Sequence, residues 1–286
     1  MKNERTYSLV LTALFTAIIV IMAYTPLGFI PLGIINATII HIPVILGALF
    51  LGPKKGGFLG FVFGLTSFLK NTITPATLSA FVFSPVLAAS QFGAAGAVKS
   101  AIICFVPRIL VGVIPYFVFV GVRKLASGDN KIGRIIACIL AGLVMFLFGR
   151  AFSARTITTI SPMVATIIGV VLGALVCGIL YMVTIKRSAA SLGFVYAGLT
   201  GAFTNTFLVM GGIYFFYKGS YAAATNVAVD KVLSVIMGVV TFNGVVESVV
   251  AAIIVTALGL VLMRVKTLFC DENREITATH KSGAAL

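Results

Sequence analysis

The sequence predicts an all-α polytopic membrane helix bundle, and three observations carry that prediction. Apolar residues make up 60% of the 286 and the mean hydropathy is +1.15, which leaves too little polar surface to coat a water-soluble domain. The apolar residues fall in runs near the roughly 20-residue length that a helix needs to cross a bilayer. Basic residues sit in short clusters between the runs: Lys2 and Arg5, Lys54 and Lys55, Arg123 and Lys124, Lys186 and Arg187, Arg264 and Lys266. That is the positive-inside pattern, so the formal charge of +14 reflects membrane orientation rather than nucleic-acid binding.

Taken in order, the runs are Ser8 to Tyr24, Ile39 to Leu51, Gly57 to Leu69, Ser100 to Val122, Ile132 to Phe152, Met163 to Ile185, Leu192 to Tyr217 and Val232 to Met263. Met1 to Arg5 and the run behind it imitate a signal peptide. No small-residue cleavage site precedes polar sequence, so the run is read as a retained first span. The second and third runs are short and joined only by Gly52-Pro53-Lys54-Lys55-Gly56, which predicts a tight hairpin of tilted or partly re-entrant helices. The last run exceeds what a bilayer requires; it is expected to project beyond the lipid or bend near Asn243-Gly244. Eight spans put both termini on one side. If that side is cytoplasmic, only Lys70, Lys99, Arg108, Arg150, Arg155, Lys218 and Lys231 of the 21 Lys and Arg fall outside it. The polar segment from Thr267 to Leu286 is expected to be a disordered cytoplasmic tail.

Two outer connections are unusual. Thr25 to Ala37 is uncharged and carries Pro26 and Pro31 among apolar side chains, Leu32 included; Gly33 follows. Asn71 to Gly96 carries Thr72, Thr74, Pro75, Thr77, Phe81, Phe83, Pro85 and Gln91. Apolar loops of this kind suit a lid over a small-molecule site, or loops lying in the interface. The four cysteines, Cys104, Cys138, Cys177 and Cys270, form no CxxC and have no nearby His. They indicate neither a disulfide framework nor a zinc site. No GxxxxGK[ST] occurs, so a P-loop nucleotide site is excluded.

The informative residues are polar groups at membrane depth, where an ionised side chain costs at least about 2.5 kcal/mol. Arg108 lies nine residues after Lys99, about 13 Å down a helix. Asn205 is 18 residues beyond Arg187, about 27 Å up its own helix. Asn243 and Glu247 are four apart and share a helix face. Separate helices can therefore bring Arg108, Asn205, Asn243 and Glu247 to similar depth. Two readings of the charged pair stay open. Arg108 and Glu247 neutralise each other and join two helices, or Arg108 presents its guanidinium fork to a ligand carboxylate with Glu247 orienting it from behind. The carboxamides likewise either tie helices together or hydrogen-bond a ligand. His41 opens the second span as an interfacial group or a ligand contact. A short echo also exists: Gly64-Leu65-Thr66 with Asn71-Thr72 recurs as Gly198-Leu199-Thr200 with Asn205-Thr206. Ala13 and Ala17 form a small-xxx-small pair, and Gly56, Gly60 and Gly64 suit close helix packing.

Several of these stretches, in this order, resemble the substrate-binding S component of energy-coupling factor (ECF) vitamin transporters, in its pantothenate-type branch. They are Thr25-Pro26-Leu27-Gly28-Phe29-Ile30-Pro31, Ala37-Thr38-Ile39-Ile40-His41-Ile42-Pro43, Leu51-Gly52-Pro53-Lys54, Phe83-Ser84-Pro85, Pro107-Arg108-Ile109-Leu110, Thr204-Asn205-Thr206 and Asn243-Gly244 with Glu247. The resemblance implies a six-helix core that captures a vitamin beneath the loops after its first and third helices. It also implies partners: a membrane coupling subunit, contacted through Ala13 and Ala17, and two ATPases. It implies residence in the bacterial cell membrane, no cofactor, no metal and no catalysis.

The candidate substrate-binding residues are therefore Arg108, Asn205, Asn243, Glu247, His41, Thr38 and Phe83. Against the six-helix pattern, this chain is expected to hold core helices in 1–124, an inserted helix pair in 125–190, two last core helices in 191–266 and the tail in 267–286. Two rivals are a self-sufficient secondary transporter of a small organic acid using Glu247 as a proton site, which lacks a convincing inverted repeat, and a membrane enzyme, for which only His41 and Glu247 offer acid–base groups.

Overall fold

A computed structural model describes residues 2–31, 36–76, 79–126, 131–156, 161–186 and 190–283. Leu32, Gly33, Thr77 and Arg187 lie outside the described residues. The helices are α1 (Lys2–Tyr24), α2 (His41–Leu51), α3 (Pro53–Ile73), α4 (Pro85–Val111), α5 (Ile114–Ala126), α6 (Lys131–Thr156), α7 (Pro162–Lys186), α8 (Ala190–Ala224) and α9 (Val232–Gly283). Strands β1 (Phe29–Pro31) and β2 (Asn36–Thr38) form a small antiparallel hairpin between α1 and α2. Among the described residues, six helical stretches are long and apolar enough to cross a membrane, with α4 and α5 counted as one. The 11-residue α2 is shorter than a span, at about 16 Å, and packs on α3 as the expected tight hairpin.

The α2–α3 turn is written into Gly52-Pro53. Gly52 has φ +89°, a conformation that L side chains rarely adopt, and Pro53 occupies the first turn of α3, where a missing N–H costs nothing. Along α3, Gly56, Gly60 and Gly64 recur every four residues and let α4 approach to backbone contact. A Cβ on Gly56 would collide with the Gly112 carbonyl, one on Gly60 with the Arg108 carbonyl, and one on Gly64 would lie 2.8 Å from the Phe105 ring. This stripe fixes the height and rotation of α4, and hence of Arg108.

Four expectations need correction. The run from Ser100 to Val122 is not one helix: α4 ends at Val111 and α5 starts at Ile114. Gly112 is pressed against Gly56, and Pro115 has no N–H with which to continue the ladder. The segment from Asn71 to Gly96 is not mainly loop. α3 runs to Ile73, a 3-10 turn spans Ala80–Phe83, and α4 starts at Pro85 behind a Ser84 cap whose hydroxyl accepts from the Leu87 N–H at 3.2 Å. Gly93 (φ +66°) then bends α4. No bend occurs at Asn243-Gly244; α9 is helical through it, and Gly244 instead admits Thr206 of α8, whose Cγ2 would lie 3.1 Å from an added Cβ. Nor is the backbone from Thr267 irregular, since α9 continues to Gly283.

The largest buried apolar cluster lies among α1, α2, α3, α5, α8 and α9 around Ile19, Val44, Ile45, Leu59, Phe194 and Val255. A second lies under the 3-10 turn, where Phe81 sits among Phe92 and Tyr217 with Ile103, Ile213 and Val232 nearby. Helices α6 and α7 pack mainly on each other. They meet the rest through a small cluster of Ala126, Ala137, Cys138 and Leu192, and through the Tyr196 hydroxyl, which donates to the Ala137 carbonyl.

Candidate functional site

Between the two connections and the helices below them lies a chamber of about 550 Å³. Its largest wall is one face of α3 with its C-cap: Phe63, Thr66, Ser67, Lys70 and Asn71, then Thr74 at the cap, recur at the three- and four-residue spacing of a single helical stripe. Arg108 comes from α4, Asn205, Thr206, Val209 and Met210 from α8, and Val239, Asn243 and Glu247 from α9. Thr38 of β2 and Phe83 of the 3-10 turn border it.

Arg108 is aimed by a helix defect. Pro107 lies inside α4 and cannot donate to the carbonyl four residues back, at Ile103. The Arg108 guanidinium takes that orphaned acceptor, with Nη1 2.9 Å from the Ile103 oxygen. Its carbon also lies 4.9 Å from the centre of the Phe83 ring and 5.5 Å from that of Phe63, a cation–π cradle. The side chain is buried, yet its Nε has no hydrogen-bond partner among the described residues. Asn205 is buried as well, and its Oδ1 has no partner among the described residues. A donor and an acceptor on two residues that line the chamber are thus buried without partners among the described residues, a costly arrangement in an apolar bundle.

Glu247 is occupied differently from either reading of the charged pair. Its Oε1 accepts the Thr38 N–H at 3.0 Å, and its Oε2 accepts the Thr206 hydroxyl at 3.0 Å. Neither contact involves Arg108. The two charges share the chamber without touching, so the expectations of a neutralising pair and of Glu247 supporting Arg108 from behind are both corrected. The carboxylate's lone pairs are met by the hairpin and by α8, while the guanidinium's nearest acceptor is its own helix.

Of the sequence candidates, Arg108, Asn205, Asn243, Glu247, Thr38 and Phe83 all border the chamber. His41 does not: it is wholly buried as the first residue of α2, outside the lining, and neither ring nitrogen has a partner among the described residues. The neighbouring Ile40 lines the cavity in its place, because α2 begins with the histidine turned into the bundle. Ala13 and Ala17 lie exposed on α1, away from the chamber.

Sequence reasoning missed the α3 wall. Lys70 was placed only as an outer charge, whereas it borders the cavity and donates from Nζ to the Ala23 carbonyl in the last turn of α1, at 2.9 Å. The usable signal was the polar stripe itself. The short echo also pointed there, since Thr66, Asn71, Asn205 and Thr206 all line the chamber.

A cavity bordered by polar side chains of α3, α4, α8 and α9, inside a bundle with helices long and apolar enough to cross a membrane, marks a polytopic membrane protein with an internal pocket. A family model described as "ECF transporter, substrate-specific component" matches residues 7–154, just over half of the chain, and the chain belongs to that family. It is similar to the pantothenic acid transporter PanT of Lactococcus lactis subsp. cremoris, with 36% identity over 141 residues, 48% of this chain and 67% of that one. It is also similar to the pantothenate transporter PanT of Leuconostoc mesenteroides subsp. mesenteroides, with 26% identity over 167 residues, 51% of this chain and 74% of that one.

Proposed function

We propose that this chain is the capture subunit of an ECF-type importer whose cargo is pantothenate, and that it has no catalytic chemistry of its own. The observation that carries the reading is that two residues lining the chamber each hold a buried polar atom without a partner among the described residues, Arg108 Nε and Asn205 Oδ1. A ligand that meets both must offer an acceptor to the guanidinium and a donor to the carboxamide. Pantothenate offers a carboxylate for the first, matched to Arg108 by charge, and hydroxyl and amide groups for the second and for Asn243. Its gem-dimethyl carbon suits the apolar patch of Val209, Met210 and Val239. The names of the two relatives point to the same cargo.

In this reading the chamber opens to the outside. The cavity lies at the end of the bundle where α1 and α3 finish, while Lys54, Lys55, Arg123 and Lys124 mark the opposite end. By the positive-inside rule that basic end is cytoplasmic, with both termini, in the cell membrane. The exposed pair Ala13 and Ala17 would receive a membrane coupling subunit, which with two ATPases would drive release. The rival transporter that cycles protons on Glu247 has no specific observation in its favour, because both carboxylate oxygens already hold the fold together.

Titration calorimetry of the purified chain against a panel of water-soluble vitamins tests the cargo. Pantothenate is expected to bind at micromolar or tighter concentration, and Arg108→Ala to weaken it far more than Lys99→Ala, which alters an exposed residue on the same helix. Tighter binding of a vitamin without a carboxylate, or equal effects of the two variants, would overturn the assignment.

A further inference from the structure

We infer that His41 is a positioning residue for Asn205: its ring N–H donates to Asn205 Oδ1 across the seam between α2 and α8, and so fixes which end of that amide a ligand meets. The inference rests on the chamber being a ligand site, but one arm of its test needs no ligand.

The register of the two helices brings the pair together. Near the end of α2 the Phe50 ring centre lies 6.2 Å from that of Phe194 on α8. Five residues earlier on α2, Ile45 is pressed on Gly201, where an added Cβ would collide with the Ile45 side chain. Going back along α2 is thus going forward along α8, and the helices run antiparallel. One further turn brings His41 of α2 level with Asn205 of α8. Each is four residues from a member of the Ile45–Gly201 contact, hence on the same face of its helix as that member. Because residue 201 has no side chain, the backbones are close enough at this height for an imidazole and a carboxamide to meet by side-chain rotation alone.

Both groups lack a bond. His41 is wholly buried with neither ring nitrogen partnered among the described residues, and the buried Asn205 has its Oδ1 in the same condition. Leaving either so is costly, and one hydrogen bond serves both. The polar groups of α9 beside them are already engaged. Glu247 accepts from Thr38 and Thr206, and the Ser248 hydroxyl donates to the Gly244 carbonyl at 2.6 Å. Asn205 Oδ1 is therefore the acceptor that fits the histidine.

A neutral imidazole carries one N–H, and a carboxamide oxygen has two lone pairs. Oδ1 can take the ring N–H from α2 and a ligand donor from the chamber together. Selectivity follows. The two ends of an asparagine amide are nearly alike in shape, so a half-turn exchanges acceptor for donor at little steric cost. The His41 bond opposes that turn and keeps an acceptor available for a hydroxyl or amide N–H. A residue outside the chamber lining thereby acts on what the chamber recognises.

A double-variant cycle with pantothenate as probe reads the coupling by calorimetry. His41→Leu removes the N–H and is expected to weaken binding about fivefold. On top of Asn205→Ala it should add almost nothing, whereas on top of Asn243→Ala the losses should multiply to about 25-fold. His41→Gln, whose amide can donate in place of the imidazole, should recover most of the loss. Losses that multiply with Asn205→Ala, or a glutamine no better than leucine, would overturn the assignment. The ligand-free arm uses the chain's two histidines, His41 and His280. Isotope-labelled histidine in a His280→Gln protein in detergent isolates one ring by magnetic resonance. Asn205→Ala should move the His41 N–H proton upfield, as loss of an acceptor does, and Asn243→Ala should leave it in place. An unmoved resonance would overturn the bond, and this arm decides alone if His41→Leu does not fold. Absence of pantothenate binding by the parent would sink the cargo reading and leave the resonance result standing.

Discussion

Helices α3 and α4 are joined by the same device as α6 and α7, yet among the described residues only the first pair borders the chamber. In both, glycines bring two backbones into contact: Gly56, Gly60 and Gly64 against α4, and Gly142 and Gly173 against each other, each of whose Cβ atoms would lie within 2.8 Å of the other's carbonyl. What differs is what the contact carries. Beside the α3 stripe stand Thr66, Ser67, Lys70, Asn71 and Arg108, all facing one chamber. On α6 and α7 the buried Ser153 bonds its own helix at Gly149, and Leu140, Leu143, Leu147, Val170, Val171 and Leu175 lie exposed, as on a lipid-facing surface. Close packing of small residues makes helices adhere; a site requires in addition that polar side chains beside the seam border a cavity.

The comparison can be broken most directly at the glycines. Gly60→Val should abolish pantothenate binding, because the new side chain would push against the Arg108 carbonyl, a backbone atom that can move only with the helix. Gly173→Val should loosen the α6–α7 pair and leave binding within about threefold. Calorimetry on both purified variants checks the contrast; equal losses would mean that the α6–α7 pair shapes the chamber after all.

A smaller effect is expected at the guanidinium. Arg108→Ala should weaken binding by about 30-fold or more, in the range of about 2–5 kcal/mol for removing one side of a buried charged contact. Arg150→Ala, an exposed arginine on α6, should change nothing measurable. Asn205→Ala and Asn243→Ala follow at about fivefold each, the worth of one hydrogen bond near 1 kcal/mol. Competition binding with labelled pantothenate resolves this order. An Asn205 effect larger than that of Arg108 would shift the anchor of the ligand from carboxylate to hydroxyl.

The smallest effect should come from the largest change. Residues 127–189 can be replaced by a short polar linker, because Ala126 at the end of α5 and Leu192 at the start of α8 already share one buried cluster. The shortened protein is expected to bind pantothenate within about threefold of the parent, since α6 and α7 contribute no described residue to the chamber. Loss of binding in a monodisperse, folded product would assign the pair a part in the site.

Much of this was legible in the sequence because lipid imposes strong rules. Hydrophobic runs and basic clusters located the helices, and Arg108, Asn205, Asn243 and Glu247 stood out as polar groups with no cheap place to be. The failures have physical causes as well. The break after Val111 depends on Gly112 meeting Gly56 across space, which no local pattern records. Lys70 read as a loop charge because α3 extends a turn beyond the apolar run, and its stripe of Thr, Ser and Asn lowered the hydropathy that marks a span. Glu247 read as a partner for Arg108 because opposite charges invite pairing; the sequence could not show that a strand edge and a threonine hydroxyl would reach it first.

Pro107 gives the arginine a direction that no ligand needs to supply. With an ordinary residue there, such as alanine, the backbone amide would reclaim the Ile103 oxygen, and the guanidinium would be released to wander between Phe63, Phe83 and open cavity. A proline that touches nothing in the chamber thus acts as a sight for the side chain next to it, and Pro107→Ala should blunt recognition by restoring a perfect helix.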